Sequence, residues 1–153
     1  MKELSIVICT YNRAWLLTRT IQSLLKQSSS LDSVELIVVD NNSTDNTREI
    51  VDRWNTTAVN INYIFESKQG LAKAKNTGWN KASGNYIAYI DDDISLNNRW
   101  VDQSLRTIKD LRPDVFGGPI FPFFRKKPPG WFNLDSFTYT WGSKDRYLNK
   151  YES

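Results

Sequence analysis

The sequence predicts an α/β fold: an open, mostly parallel sheet with helices on both faces, of the Rossmann-like nucleotide-binding kind and incomplete at the C-terminus. Apolar, β-branched runs of strand length alternate with segments of helical periodicity over the first two thirds of the chain. The runs are continuously apolar, as strands buried on both faces are. The connections between them are short and polar, which suits strand–helix–strand units in one sheet.

Leu4 to Cys9 is the first strand-like run, and Leu17, Ile21, Leu24 and Leu25 then recur at helical spacing. Gln27-Ser28-Ser29-Ser30 breaks that pattern before a second buried strand, Val34 to Val39. Ser43 or Thr44 can cap the next helix, which carries Ile50, Val51 and Trp54. Ile61 to Phe65 is a third strand, and Leu71, Ala74, Gly78 and Ala82 make a small-residue stripe suited to close packing on a sheet. Gly84-Asn85 turns into a fourth strand, Tyr86 to Ile90, followed by a helix with Trp100, Val101, Leu105 and Ile108. Asp114 to Phe116 leads to Gly117-Gly118-Pro119, beyond which the periodicity dissolves into an aromatic, Pro-containing stretch that includes Phe121, Phe123, Phe124, Phe132 and Trp141. The expected organisation is therefore an α/β domain over residues 1–118 and a distinct region over 119–153.

Composition narrows the chemistry. At 153 residues the chain is long enough for one domain with a real core. Its net charge of +3 and pI near 9.0 fit an anionic ligand or an acidic membrane surface, and are too weak to argue for nucleic acid. The single cysteine, Cys9, excludes an intrachain disulfide and a Cys-based zinc site. With no histidine, a bound metal must rest on oxygen ligands, which points to Mg²⁺, Mn²⁺ or Ca²⁺. No apolar run approaches the roughly 20 residues of a membrane span, and no signal peptide precedes the first strand, so a cytoplasmic protein is expected.

In an open parallel sheet, ligands sit at the carboxyl ends of the strands, where strand order reverses. Strand one ends in Thr10-Tyr11-Asn12-Arg13, strand two in Asp40-Asn41-Asn42-Ser43, and strand four in Asp91-Asp92-Asp93. Three adjacent carboxylates at a strand end repel one another, and a divalent cation removes the conflict. In extended backbone Asp91 and Asp93 point to one side and Asp92 to the other. One carboxylate can then ligate a cation while another bonds a sugar hydroxyl, with water and phosphate oxygens completing the shell. The alternative is a solvated acidic turn before the next helix. A calcium EF-hand is excluded, because Leu96 stands where its loop requires Gly.

Asp40 can accept the imide N–H of uracil or the amino and imino protons of guanine, or it can cap the helix after it. Tyr11 can stack on a base or pack over the sheet end, and Thr10 can offer a hydroxyl or carbonyl to the base edge. Arg13, Lys73 and Lys75 are candidate charge partners for a diphosphate; on solvated helices such residues often have no partner.

In these blocks the sequence resembles family 2 glycosyltransferases of the GT-A fold. Ser5 to Arg13, Val38-Val39-Asp40-Asn41-Asn42-Ser43-Thr44-Asp45, Gly70 to Gly78, Gly84-Asn85-Tyr86-Ile87 and Asp91-Asp92-Asp93 follow in the family's order over residues 4 to 118. The resemblance implies inverting transfer from a nucleoside-diphosphate sugar, with a UDP-sugar favoured and Mg²⁺ or Mn²⁺ as cofactor. It implies base contacts from Thr10, Tyr11 and Asp40, an approach of Asp91 and Asp92 to the ribose or cation, Asp93 as the main metal ligand, and Gly118 at the donor sugar. With Asn12, Arg13, Asn42 and Lys73 added from the strand-end clusters and charges, these make the candidate donor site, and Asp91 joins Asp93 as a metal ligand. The acceptor would be a sugar or a lipid-linked glycan in surface-polysaccharide or glycoconjugate synthesis. Peripheral association with the inner face of the membrane and self-association accompany that expectation. Lys75 stands where the family often has Arg. The inverting reaction needs a carboxylate base at the acceptor hydroxyl. Neither Asp135, Asp145 nor Glu152 lies in a matching context, so catalytic residues are left unassigned and a truncated form is expected. Two alternatives follow: a non-catalytic nucleotide-sugar-binding fragment or partner subunit, and a sugar-phosphate nucleotidyltransferase. The second would want a Gly-rich loop after strand one, which Thr10-Tyr11-Asn12-Arg13-Ala14 lacks.

Overall fold

A computed structural model describes residues 2–55, 60–120 and 129–131, together with the backbone of residues 146–148. The chain divides into two compact units, Met1–Arg106 and Thr107–Ser153. The first contains β1 (Leu4–Thr10), α1 (Ala14–Leu25), β2 (Val34–Asp40), α2 (Thr47–Trp54), β3 (Ile61–Phe65), α3 (Leu71–Lys81), β4 (Tyr86–Asp91) and the start of α4 (Trp100–Leu111). The aromatic stretch singled out after Pro119 falls mostly outside the described residues, as do Asp135, Asp145 and Glu152.

All four strands of the main sheet are parallel, in the order β3-β2-β1-β4. β1 is central, with Val7 level with Ile37 of β2 and Tyr89 of β4. The strand order steps outward from β1 to β2 to β3 and then returns past β1 to β4. Right-handed crossovers consequently put α1 and α2 on one face and α3 on the other. In agreement, α1 packs against α2, whereas α3 lies on β1 and β2.

Both faces carry core. Val7, Ile37, Val39 and Ala74 form a buried cluster beneath α3, and the alternate residues Ile6, Ile8, Leu36 and Val38 are buried on the opposite face. Each Val, Leu or Ile among them contributes about 1.5–3 kcal/mol on leaving water. The expected helix stripes hold for Leu17, Ile21 and Leu24 of α1, and for Ala74 and Gly78 of α3.

Two local expectations are corrected. Leu71 is largely exposed, because it opens α3 and the buried part of that helix begins one turn later, at Ala74. Neither Ser43 nor Thr44 caps α2: the helix begins at Thr47, and the Asp45 carboxylate accepts from the Thr47 amide at 3.1 Å and from its hydroxyl.

In the second unit, β5 (Val115–Gly117) pairs antiparallel with β6 (Arg146–Leu148). Each has three residues, too few to carry a strand periodicity, and β6 has no counterpart in the sequence-based expectation.

The seat of α3 is testable at Gly78. A Cβ there would come within 2.4 Å of Val7 Cγ1. Gly→Ala in a helix ordinarily gains up to about 1 kcal/mol, but overpacking a core costs about 1–3 kcal/mol. Gly78→Ala is expected to lower stability in urea denaturation; an increase would show that α3 has room to lift from the sheet.

Candidate functional site at the carboxyl rim

Strand order reverses beside β1, so the loops after β1 and β4 flank the crevice in which an open α/β sheet binds its ligand. The chain leaves β1 through Thr10 and passes Asn12, in the left-handed region at φ 52°, before entering α1. Asn is one of the few L-residues that tolerate this conformation. The Asn12 amide donates to Ser43 Oγ at 3.0 Å, and its side-chain oxygen accepts from the Thr44 amide at 2.7 Å. Asn42 repeats the conformation after β2, at φ 69°. The two loops are thereby tied side by side.

Asp45 joins them to the helices. Its Oδ2 accepts from the Ala14 amide at the start of α1 at 3.1 Å, while Oδ1 serves Thr47 at the start of α2. One carboxylate therefore meets the unpaired N–H groups of two helix N-termini. Burial alone would raise its pKa; the hydrogen bonds from Thr47 and Ala14 outweigh that and hold it below the usual carboxylate range.

At the end of β4 the three acids separate. Asp91 and Asp93 are exposed, and Asp92 is 4% exposed. Asp92 Oδ2 accepts from the Thr10 hydroxyl at 2.7 Å, and Oδ1 accepts from Arg13 Nη1 at 3.1 Å. The same nitrogen lies 3.3 Å from Asp93 Oδ2. The hydrogen bond to Asp92 and its charge raise the Arg13 pKa, so the guanidinium is fixed as a cation. The crowding of negative charge expected from the sequence is thus relieved within the chain for Asp92. The Thr20 hydroxyl of α1 shares its one proton between the carbonyls of Asp92 and Ile94, at 2.8 and 2.9 Å, and the Leu96 amide donates to Ser23 Oγ. The acidic loop is clamped along α1.

Asp40 is 2% exposed. Its Oδ1 accepts from the Ser43 amide at 2.8 Å and its Oδ2 from the Tyr63 hydroxyl at 2.7 Å. Burial, followed by the hydrogen bond and negative charge of Asp40, raises the Tyr63 pKa and keeps the phenol protonated. Arg48 stacks on that ring, 4.4 Å from its centroid. Asn41 anchors the chain before α3, donating to the Lys68 carbonyl at 2.9 Å and accepting from the Gly70 amide at 2.7 Å.

The structure therefore joins Thr10, Arg13, Asp92 and Asp93 in one network, and Asn12 with the loop that carries Asn42. Tyr11 is 47% exposed beside them. Lys73 is exposed and helps lower the Glu66 pKa, after the larger effect of the Thr77 hydroxyl. Lys75 lies over the Tyr89 ring at 5.5 Å and within electrostatic reach of Cys9. Gly118 follows β5 in the second unit. Asp45, Tyr63 and Thr20 were not singled out from sequence: Tyr63 and Thr20 act through partners 20 or more residues away, and the bond that ties Asp45 to α1 spans 31 residues. A polar groove of about 410 Å³, lined in part by Lys2, Glu35, Arg48 and Asp52, opens beside β2 and β3; none of the sequence-predicted site residues lines it.

Hard oxygen donors at Asp91 and Asp93 suit Mg²⁺ or Mn²⁺. Among the described residues no three acids gather into a ready-made cage.

An open parallel sheet reversing beside its central strand, with polar loops gathered on that rim, defines an α/β ligand-binding layer. Residues 5–152 match Glycosyl transferase family 2, and the chain belongs to that family. It is similar to the glycosyltransferase AglE of Haloferax volcanii, 30% identical over 88% of this chain and 44% of that protein. It is also similar to the GalNAc(5)-diNAcBac-PP-undecaprenol beta-1,3-glucosyltransferase of Campylobacter jejuni, 32% identical over 76% of this chain and 38% of that one. The chain thus spans less than half the length of these relatives. Among solved structures, S. aureus TarS 1–349 in complex with UDP-GlcNAc superposes with a TM-score of 0.73 at 24% identity, covering 83% of this chain and 37% of that chain. The mannosyltransferase PcManGT of Pyrobaculum calidifontis, in complex with GDP-Man and Mn²⁺, does so with 0.71 at 23% identity, covering 78% and 36%. Both show the same fold. The expected family and fold class are borne out.

Two outcomes test the site's packing and electrostatics. Thr10→Val removes a neutral donor from a buried carboxylate and should cost about 1–3 kcal/mol in urea denaturation. Thr10→Ser, which keeps the hydroxyl, should lose much less, and equal stability of all three proteins would refute the assignment. Burial, opposed by Lys75 and reinforced by Asp91 and Asp92, pushes the Cys9 thiol up to about 11. Only the thiolate reacts, so Cys9 alkylation at pH 8 should be far slower than that of a free thiol. It should accelerate as pH rises toward about 11, and fast alkylation of the folded protein at pH 8 would contradict this.

Proposed function

We propose that this chain binds a nucleoside-diphosphate sugar at the carboxyl rim of its sheet and serves a metal-dependent, inverting glycosyl transfer. The observation that carries the proposal is the pair of exposed carboxylates, Asp91 and Asp93, on either side of the anchored Asp92 at the strand reversal. Asp93, with Asp91 beside it, would hold Mg²⁺ or Mn²⁺. When bound, that cation would offset the charge developing on the leaving diphosphate.

The remaining roles belong to the chain's own residues. Asp40, held by Ser43 and Tyr63, keeps acceptor capacity, since each carboxylate oxygen has two lone pairs. We assign it to the imide or amino N–H of the base. Tyr11 offers an exposed ring on which the base stacks, and Thr10, Asn12 and Asn42 shape the floor and wall of that subsite. Asp92 approaches the ribose or the cation. Arg13 and Lys73 supply positive charge to the diphosphate, within a donor-binding part taken as residues 1–118. A UDP-sugar is the favoured donor; UDP-GlcNAc bound to a protein of the same fold supports this. The acceptor is taken to be a sugar or lipid-linked glycan, as the name of the Campylobacter relative suggests. Surface-polysaccharide or glycoconjugate synthesis is the setting, with peripheral membrane association and self-association as further expectations. Among the described residues no helix is long and apolar enough to cross a membrane.

The test is a thermal-shift panel of UDP, GDP, CDP and dTDP, each with and without Mn²⁺. One diphosphate is expected to stabilise the protein only when metal is present, and Asp93→Ala is expected to abolish the response. Silence toward all four, or an unchanged response in the variant, would sink the proposal.

A further inference from the structure

Arg13 sits at the entry to α1, and its side chain crosses to the loop after β4. A single nitrogen, Nη1, spans two acids: Asp92 Oδ1 at 3.1 Å and Asp93 Oδ2 at 3.3 Å. The acids differ in what else they have. The Asp92 side chain is 6% exposed and also accepts from Thr10, whereas the Asp93 side chain is 45% exposed and has Arg13 as its partner among the described residues. Asp92 is thus the anchor of the guanidinium, and the contact with Asp93 is the one that can be given up.

We propose that Arg13 is an internal counter-ion that competes with the divalent cation for Asp93, while Asp92 keeps the guanidinium close by. This rests on Asp93 being a metal ligand. A carboxylate already paired with a guanidinium attracts a second cation less, and two positive groups sharing one carboxylate repel each other. The chain would then hold a cation weakly by itself. An arriving diphosphate, being anionic, would both ligate the metal and offset Arg13, so metal and nucleotide would favour each other's binding.

Mn²⁺ binding to the 153-residue chain, read from free Mn²⁺ by electron paramagnetic resonance, tests it in Arg13→Gln, Arg13→Lys and Asp93→Asn alongside the parent. Arg13→Gln is expected to bind Mn²⁺ about fivefold or more tightly, the effect of one nearby unit charge at a wet surface. Arg13→Lys, which keeps the charge, should stay near the parent, and Asp93→Asn should lose binding. Equal or weaker binding by Arg13→Gln, with binding lost in Asp93→Asn, would overturn the competition and leave the metal assignment standing. Full binding by Asp93→Asn, or no binding by either the parent or Arg13→Gln, would overturn both. A second measurement reads the parent directly: its Arg13 Nε–Hε resonance, assigned by its absence in Arg13→Lys, should move on adding Mg²⁺. An unmoved resonance at saturating Mg²⁺ would likewise overturn the competition.

Discussion

An ionised carboxylate taken out of water is costly unless charge and hydrogen bonds replace its hydration, and Asp92 is such a group. Its replacements come from two elements, the hydroxyl that ends β1 and the guanidinium just before α1, while a threonine within α1 fixes the backbone by bonding the Asp92 carbonyl. Meeting the demands of one side chain therefore brings together the end of the central strand, the end of its neighbour and the first helix. Asp91 and Asp93, one residue to either side, are held at the rim by the same arrangement while their own carboxylates stay exposed.

The loops after β1 and β2 solve a related problem. Two strands that end side by side must turn into helices without leaving N–H groups unsatisfied. Asn12 and Asn42 supply the left-handed turns, and Asp45 meets the open ends of α1 and α2 together. Asp40, at the end of β2, is buried and held by Ser43 and by a tyrosine from β3. The result is a rim whose polar groups have settled geometry. Preorganisation of this kind lowers the cost of ordering side chains around a ligand.

Much of this is legible in the residues themselves. The strand runs around Val7 and Val38, the helical spacing of Leu17, Ile21 and Leu24, and the small residues Ala74 and Gly78 follow from short-range periodicity. The structure keeps them. Expectations fail where a local rule has a distant competitor. Ser43 and Thr44 are good capping residues by type, yet Asn12 engages both and Asp45 serves the helix in their place. Leu71 fits a stripe by spacing, but at the first position of α3 it stays in solvent.

By itself the sequence determined the alternation of strands and helices, the polar clusters at three strand ends, and the absence of histidine. The first two depend on residue type and on neighbours within a turn or two. Only the tertiary structure decided how the acidic triplet is divided, with Asp92 withdrawn to Thr10 and Arg13 and its neighbours left at the rim. It also decided that Asp40 is held by Tyr63 and that Asp45 serves two helices. Apart from the local bond of Asp45 to Thr47, these contacts join residues roughly 20 to 80 positions apart, and chain order alone carries no information on which of several competent partners comes within hydrogen-bonding distance.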